Sequence, residues 1–476
     1  MGRNRAVSFA PVREKMQRAG LDHLLIRSFE HYYAQLVAGA TGYIPGADAR
    51  QPTDIADRSA AVGHHAAGVD ALNRLVAVKL NGGLGATMGL SGPRSLLVVK
   101  DGLRFFDIIV RHVLYLRQEM KARLPLIFMN SYSTQSATQE ALEAYPQLVQ
   151  GDSGKLPATF LQNKVPKIWQ ETLAPVEWQE DPTKAWCPPG HGDIYLTLHT
   201  SRLLRQMLDQ GYEYMFVSNA DNLGATVDID ILGFFAARKL PFLMEVTART
   251  AADCKGGHLA QSPDGRLLLR EIAQCPPEEI AQFQDINRYR LFNTNNLWIH
   301  LPSLQKLLAE RDGFLDLPMI VNKKPVDPAR PDSPPVFQLE TAVGLALSAF
   351  AGAQAIQVPR DRFLPVKRCN DLLALRSDAY RLNHRQRVEL DPRRGTPPYP
   401  PGPPHVELDD RYYQFIYQIE ARFPQGPPSL IGCRSLTVNG PHTFGAAISV
   451  EGDVTLTNAT DTPVAIPDGR VLVDSG

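Results

Sequence analysis

Five glycines (Gly82, Gly83, Gly85, Gly89 and Gly92) fall within eleven residues, directly after an apolar run at 75–80. Glycine leaves its backbone N–H unobstructed, so a cluster of this kind can converge its donors on phosphate oxygens. Arg94 follows the cluster; its always-charged planar fork suits a triphosphate. Two familiar phosphate loops do not fit. Gly83, Gly85 and Gly89 are spaced GxGxxxG, one residue longer than the dinucleotide fingerprint, and no Gly-Lys-Ser/Thr closes the segment as a Walker loop would. Further on, Asp221 stands at the end of a second apolar run, 214–218. Parallel sheets present ligands at strand ends, and a carboxylate is a hard oxygen ligand suited to Mg²⁺ that bridges phosphates. On composition alone, the glycines could form a tight structural turn, and Asp221-Asn222 an Asx turn with Gly224.

The elements that must position these groups show in the hydrophobic pattern. Short apolar runs at 75–80, 124–129, 214–218 and 242–246 read as buried strands, and Phe105, Phe106, Ile109, Val113 and Leu116 recur at helical spacing between the first two. Alternating strands and helices imply an α/β fold with a largely parallel sheet. Leu21, Leu24, Leu25, Tyr32 and Leu36 suggest helix near the N-terminus. Proline-rich stretches at 324–336 and 396–404 must be loops or extended segments, and the second marks a domain boundary. Beyond it, Val438, Phe444, Val450 and Leu456 fall six apart, Ile466 and Leu472 repeat the interval, and Gly440, Gly445, Gly452 and Gly469 intervene. A six-residue apolar period predicts a small parallel β-helix, with an antiparallel meander as the competing arrangement. The expected division is a mainly helical segment at 1–70, a catalytic domain at 71–385 and a β-helix domain at 386–476.

Taken together, the segment LNGGLGATMGLSGPRS at 80–95 and the runs PPGHGDIY (188–195), SNADNLGATVD (218–228), KGG (255–257), FNTNNLW (292–298), QLETA (338–342) and FLPVK (363–367) resemble, in order, the blocks of the eukaryotic-type UTP:glucose-1-phosphate uridylyltransferase family. The resemblance spans about residue 75 to beyond residue 450. It implies a Rossmann-like, GT-A-like mixed sheet with a left-handed C-terminal β-helix. It also implies Mg²⁺-dependent attack of the sugar phosphate on the α-phosphate of UTP, with pyrophosphate leaving in line. Lys367, Arg94 and Asp221 would be catalytic, with Asp221 the metal ligand. Leu80, Asn81, Gly82, Gly83, Arg94, Gln162, Gly190, Asn219 and Asp221 would hold the nucleotide, Gln162 facing uracil. His191, Gly257, Asn293, Asn295 and Glu340 would hold the sugar. An amide can both donate to and accept from a base edge or hydroxyl, which suits these roles. Alternatives are another sugar 1-phosphate (galactose or N-acetylhexosamine), or a homologue that binds UDP-sugar without turnover.

The chain departs from the family pattern at Arg94, which replaces the usual lysine, and at Ala220 and His258, which replace the commoner Ile and Thr. His258 adjoins Gly257 and so bears on the choice of sugar. Cys369 follows Lys367 closely, and the sequence ends soon after the last hexad, so higher oligomers are not expected and a monomer or small homo-oligomer is.

Composition bounds the rest. Lysine plus arginine number 50, as do aspartate plus glutamate, so no global field draws nucleic acid or an anionic membrane. Five scattered cysteines without a CxxC pair support neither a disulfide framework nor zinc. With no secretory-type apolar run at the start and no apolar stretch long enough for a membrane helix, a cytoplasmic protein with small-molecule partners is expected.

Overall fold

The computed structural model describes residues 8–149 and 155–474. At its centre lies a mixed sheet. Its strands are β1 (Leu75–Asn81), β2 (Leu126–Asn130), β3 (Thr159–Leu161), β4 (Tyr214–Asn219), β5 (Phe242–Ala248), β6 (Leu291–His300) and β7 (Gln354–Gln357). They lie in the order β7-β5-β6-β4-β1-β2-β3, with the short strand Ala56–Asp57 beside β7. The four strands anticipated from apolar runs are present, and β1, β2 and β4 pair in parallel. The expectation of a largely parallel sheet needs one amendment: β6 runs antiparallel to both β4 and β5. Its polar stretch Asn293–Asn296 hides the strand pattern that the buried runs advertise.

Both faces of the sheet are covered, which is why its strands are apolar throughout rather than alternating. On one face packs the helix Phe105–Met120, whose Phe105, Phe106, Ile109, Val113 and Leu116 are all buried. Asp107 accepts the Arg104 N–H at 2.9 Å to open that helix, and Lys121, at φ 48°, ends it. On the other face lie Ile194, Tyr195, Leu198 and Met207. The N-terminal helices Ala10–Arg18 and His23–Val37 bury Val12, Met16, Leu25, Phe29 and Tyr33 in a separate cluster against Val165, Ile168 and Leu339.

The C-terminal segment is a parallel stack. Strand β8 (His405–Leu408) pairs with β9 (Cys433–Asn439), β9 with β11 (Ser449–Thr457), and β11 with β13 (Val471–Val473). Strand β10 (His442–Phe444) pairs with β12 (Val464–Ile466) on a second side. Val438 lies beside Leu456 and Val450 beside Leu472, so the apolar period places like residues one above another. Parallel pairing disposes of the antiparallel meander. Val438, Phe444, Val450 and Leu472 are buried, while Leu456 and Ile466 are half-buried.

Candidate active site

The C-terminal ends of β1 and β4 lie side by side, with Asn219 level with Leu80. The two loops that leave them therefore open onto one cavity of about 300 Å³, lined by Leu80, Asn81, Gly82, Gly83, Arg94, Ser95, Met129, Gln162, Pro188, Gly190, His191, Asn219, Ala220 and Asp221. Every residue expected to hold the nucleotide lines it, together with His191.

The glycine loop folds back on itself through a bridge between Leu84 and Pro93, and Arg94 N–H donates to Gly83 O at 3.2 Å. This brings the Arg94 guanidinium across to Asp221, whose Oδ2 accepts from Nη1 at 2.9 Å. The two groups assigned to phosphate and metal thus face each other. Gln162 lies against Gly82, where a Cβ would come within 2.9 Å of Nε2. Asn81 contributes differently from expectation: its amide nitrogen donates to Asn130 Oδ1 at 2.8 Å and Thr138 Oγ1 at 2.9 Å, so its side chain braces β1 against β2.

Gly190 has φ 80°, and a Cβ there would lie 2.3 Å from Thr341 O, so the turn that presents His191 requires glycine. His191 Nδ1 accepts the Val343 N–H at 2.9 Å, which leaves the ring proton on Nε2. The ring is open to the cavity, yet desolvation by its walls lowers the pKa to about 4. The backbone hydrogen bond is the firmer ground for a neutral ring.

A bulge between β5 and β6 shifts the register after Glu245, leaving Thr294 and Asn295 extra on β6. Asn295 takes φ 59°, its Nδ2 donates to Asn219 Oδ1 at 2.8 Å, and its own Oδ1 is buried without a partner. Asn293 accepts the Asn295 N–H at 2.9 Å. Asn293, Asn295 and Gly257 do not line the cavity: Asn295 is linked to it only through Asn219, and Gly257 only further back, its carbonyl accepting from Asn293 N–H at 3.0 Å.

Glu340, expected to hold the sugar, and His258, expected to bear on the choice of sugar, both lie outside this cavity. Glu340 lines a separate small cavity with Tyr32, Leu196 and Leu339, where burial raises its pKa and Lys324 and Asn322 oppose the rise. His258 turns away from Gly257 and stacks on Tyr289 at 3.9 Å, fully buried, so it meets no substrate directly. A carboxylate that sequence reasoning passed over is Glu271. A Cβ on Gly257 would lie 2.5 Å from its Oε1; burial raises its pKa and the Lys367 charge pulls it back. Only its place near Gly257 marks it, and no spacing in the sequence does. Ser95, buried with an unpartnered hydroxyl, is another lining residue not singled out beforehand.

Lys367 lies in an adjoining cleft of about 410 Å³ lined by Thr87, Arg94, Arg368, Cys369, Asp410 and Gln414, and Arg94 borders both spaces. Its segment is bound to the Asp221 loop, since Val366 N–H donates to Asp221 O at 3.3 Å. Beneath that loop, Lys79 donates to Ser218 Oγ at 2.7 Å and Ala225 O at 2.6 Å, and burial lowers its pKa to about 7. The arrangement can do one kind of chemistry well. It gathers backbone donors and the Arg94 guanidinium around one half-buried carboxylate, with the Lys367 cation in the adjoining cleft, as a reaction between two phosphate esters requires.

Comparison with known proteins agrees in breadth. The family model described as UTP–glucose-1-phosphate uridylyltransferase matches residues 26–451. The chain is 40% identical over 404 residues to the UTP–glucose-1-phosphate uridylyltransferase of Solanum tuberosum, covering 85% of this chain and 81% of that protein. It is 39% identical over 407 residues to a probable enzyme of the same name from Schizosaccharomyces pombe, covering 85% and 77%. Among solved structures, a mutant of UDP-glucose pyrophosphorylase from Leishmania major in complex with UDP-glucose superposes with a TM-score of 0.92 at 42% identity over 99% of both chains. A UDP-glucose phosphorylase from Trypanosoma brucei gives 0.87 at 42% identity, covering 98% of this chain and 99% of that one.

Proposed function

Because the chain belongs to the UTP–glucose-1-phosphate uridylyltransferase family, we propose that it joins UTP to glucose 1-phosphate, forming UDP-glucose and pyrophosphate. The observation that carries the reading is the single cavity shared by the glycine loop, Gln162, His191, Arg94 and Asp221.

In this reading, Gln162 and the backbone of Leu80 and Gly82 seat the uracil and ribose, and the loop N–H groups with Arg94 take the triphosphate. Neutral His191 donates from Nε2 to the sugar phosphate. Gly257, Asn293 and Asn295 meet the sugar hydroxyls, with Glu271 added to that set on geometry, while Glu340, expected there too, packs behind Gly190 in its own cavity. Lys367 neutralises charge that builds on the transferring phosphate, and the two phosphate esters are held in line by groups on opposite sides of the cleft.

The donor set is compatible with Mg²⁺. Among the described residues no cluster of three or more His, Cys, Asp or Glu side chains forms a complete cage, and Mg²⁺ characteristically takes one or two carboxylates plus substrate phosphates. Asp221 would supply the carboxylate, and the ion when bound would screen the phosphate charges from one another. Arg94 must then share or release that carboxylate.

The finer fold reading is a GT-A-like sheet with a left-handed parallel β-helix, the parallel winding of which is supported by the register of β8, β9, β11 and β13. The segments proposed are 1–70, 71–385 and 386–476, with the short strand Ala56–Asp57 of the first pairing into the central sheet. Among the described residues no helix is long and apolar enough to cross a membrane. Five free thiols, four of them buried, support a cytosolic setting, and a monomer or small homo-oligomer remains the proposed state.

The test is a coupled pyrophosphate assay over nucleotides and sugar 1-phosphates in the presence of Mg²⁺. UTP with glucose 1-phosphate should be the preferred pair; preference for galactose 1-phosphate or an N-acetylhexosamine 1-phosphate would replace the sugar, and UDP-glucose binding without turnover would replace the enzyme.

A further inference from the structure

Asp221 and Lys367 are 146 residues apart in sequence, on two loops with no regular element in common. Something must hold these loops in mutual register, and the structure shows a device for it. We propose that Asn222, together with the buried Arg362–Glu245 pair, positions the Lys367 segment against the Asp221 loop. The proposal rests on the uridylyltransferase reading and assigns roles to residues that touch no substrate.

Asn222 is the seam between the loops and is 1% exposed. Its Oδ1 accepts from Gly224 N–H at 3.1 Å within its own loop and from Leu364 N–H at 2.8 Å in the other. Its Nδ2 donates to Arg362 O at 3.4 Å and to Asn296 Oδ1 at 3.3 Å. Asn222 also bridges Pro365, and Leu223 N–H donates to Leu364 O at 3.3 Å. The loops touch so closely at Gly224 that a Cβ there would sit 2.4 Å from Asp361 O, and the backbone of 361–362 occupies that space.

Below the seam, Arg362 forks onto Glu245, with Nε at 2.7 Å from Oε2 and Nη2 at 2.6 Å from Oε1. Nη2 also donates to Thr226 O at 2.9 Å, at the far end of the Asp221 loop. Glu245 is completed by Trp298 Nε1 at 2.9 Å and Asn296 Nδ2 at 3.1 Å. Both charges are buried, and each oxygen of Glu245 accepts two hydrogen bonds, so that carboxylate has no acceptor position to spare for a ligand. Apolar residues of similar volume often take a buried pair's place without loss of stability. What apolar residues cannot supply is directional bonding to two loop backbones at once. Asn222, Arg362 and Glu245 together bond to 222–226, 362–364 and β6, and Lys367 lies three residues beyond Leu364.

The experiment uses the full-length protein and two independent changes, Asn222→Leu and the double change Glu245→Met with Arg362→Met, each compared with wild type. UDP-glucose titration by calorimetry counts intact sites, and the pyrophosphate assay gives kcat per site and KM for UTP. A displacement of reacting groups on the ångström scale costs on the order of 100-fold in rate, so kcat per site should fall by about that factor while KM for UTP moves less than about threefold. A purely structural role would lower the number of sites and leave kcat per site unchanged, and that result in either variant overturns the proposal. Should the double variant hold no sites, Asn222→Leu, which keeps the ion pair, decides alone. Failure of the wild type to release pyrophosphate with any nucleotide would instead remove the uridylyltransferase reading itself.

Discussion

The most exacting contact in the site is the one between Arg94 and Asp221, at 2.9 Å with side chains only 18% and 22% exposed. Lysine in that place would offer a point charge; arginine offers a planar fork that also reaches Thr87 Oγ1 at 3.4 Å. In the proposed reading the same guanidinium would serve the triphosphate while it restrains the carboxylate. Replacing Arg94 with alanine should raise KM for UTP and cut kcat/KM by 100-fold or more, on the scale of about 3 kcal/mol for removing one preorganised donor. Arg94→Lys should keep activity within about tenfold. Steady-state kinetics decides both, and an Arg94→Ala variant with unaltered kcat/KM would take the residue out of phosphate binding. Lys367→Ala and Asp221→Ala should abolish turnover while circular dichroism and the thermal midpoint stay close to wild type; retained turnover in either would release that residue from the mechanism. Of these groups, the glycine loop, Arg94 and Asp221 stood out in the sequence as candidates for phosphate and metal chemistry, since residue type and position after an apolar strand suggest it, and the structure brings them to one cavity. Lys367 was legible only by resemblance, because an isolated lysine has the look of solvent-exposed surface. Of Asn222 only the local Asx turn with Gly224 was legible, present as Gly224 N–H to Oδ1 at 3.1 Å; Glu271 and the Glu245–Arg362 pair were not legible at all, because their roles come from contacts across the fold, 117 residues apart in the case of the ion pair, and no local period records them.

Among the elements, the strands buried on both faces were the most readable and β6 the least. The polar residues of β6 that obscure it are the ones that bond to Asn219 and Glu245, so the unreadable stretch coincides with the one proposed to meet the sugar. The neighbouring hairpin His258–Gln261 with Leu267–Arg270 shows how such an element is anchored. His258 is fully buried between Phe283 and Tyr289, with its Nδ1 3.3 Å from Leu259 O and Nε2 without a partner. Burial lowers its pKa from 6.5 to about 3, aided by Arg249 and Arg270; His112, buried against the long helix's own face, is lowered to about 4. Above pH 6.5 both folded and unfolded chains hold these rings neutral, so they add no pH dependence. Below it, the unfolded chain takes up protons that the folded one refuses, and stability falls as pH drops from 6.5 toward about 4. Urea midpoints measured across that interval should decline, and His258→Phe, which keeps the aromatic stack, should flatten part of the decline. An unchanged slope in that variant would mean that other groups carry the acid sensitivity.

At the scale of the whole molecule, the question is whether the C-terminal stack is an appendage or part of the catalytic body. The helix Cys369–Arg376 begins two residues after Lys367, and the N–H groups of Lys367 and Arg368 both donate to Asp371 Oδ2, at 2.8 and 2.9 Å. That helix buries Leu372, Leu373 and Leu375 in the same apolar cluster as Val406, Leu436, Val450 and Leu472 of the stack and Phe105, Phe216 and Trp298 of the sheet. From the stack's side, Cys369 Sγ donates to Gln414 O at 3.2 Å, and the Phe415 ring packs so near Gly89 that a Cβ on this glycine would sit 3.2 Å from it. Lys367 and the far end of the phosphate loop thus both lean on the C-terminal segment. A shared core of this kind should open as one unit. Nature has placed convenient reporters: all four tryptophans lie at or before Trp298, while Cys433 is buried in β9. Under increasing urea, tryptophan fluorescence and the reactivity of Cys433, mapped by mass spectrometry after thiol labelling, should change at the same midpoint. Saturating UDP-glucose should move both upward together, because a ligand that binds only the folded state stabilises everything that unfolds with its site. If Cys433 became reactive at a lower urea concentration and ignored UDP-glucose, the stack would be an independent body, and the support it is seen to give Lys367 would be dispensable for binding.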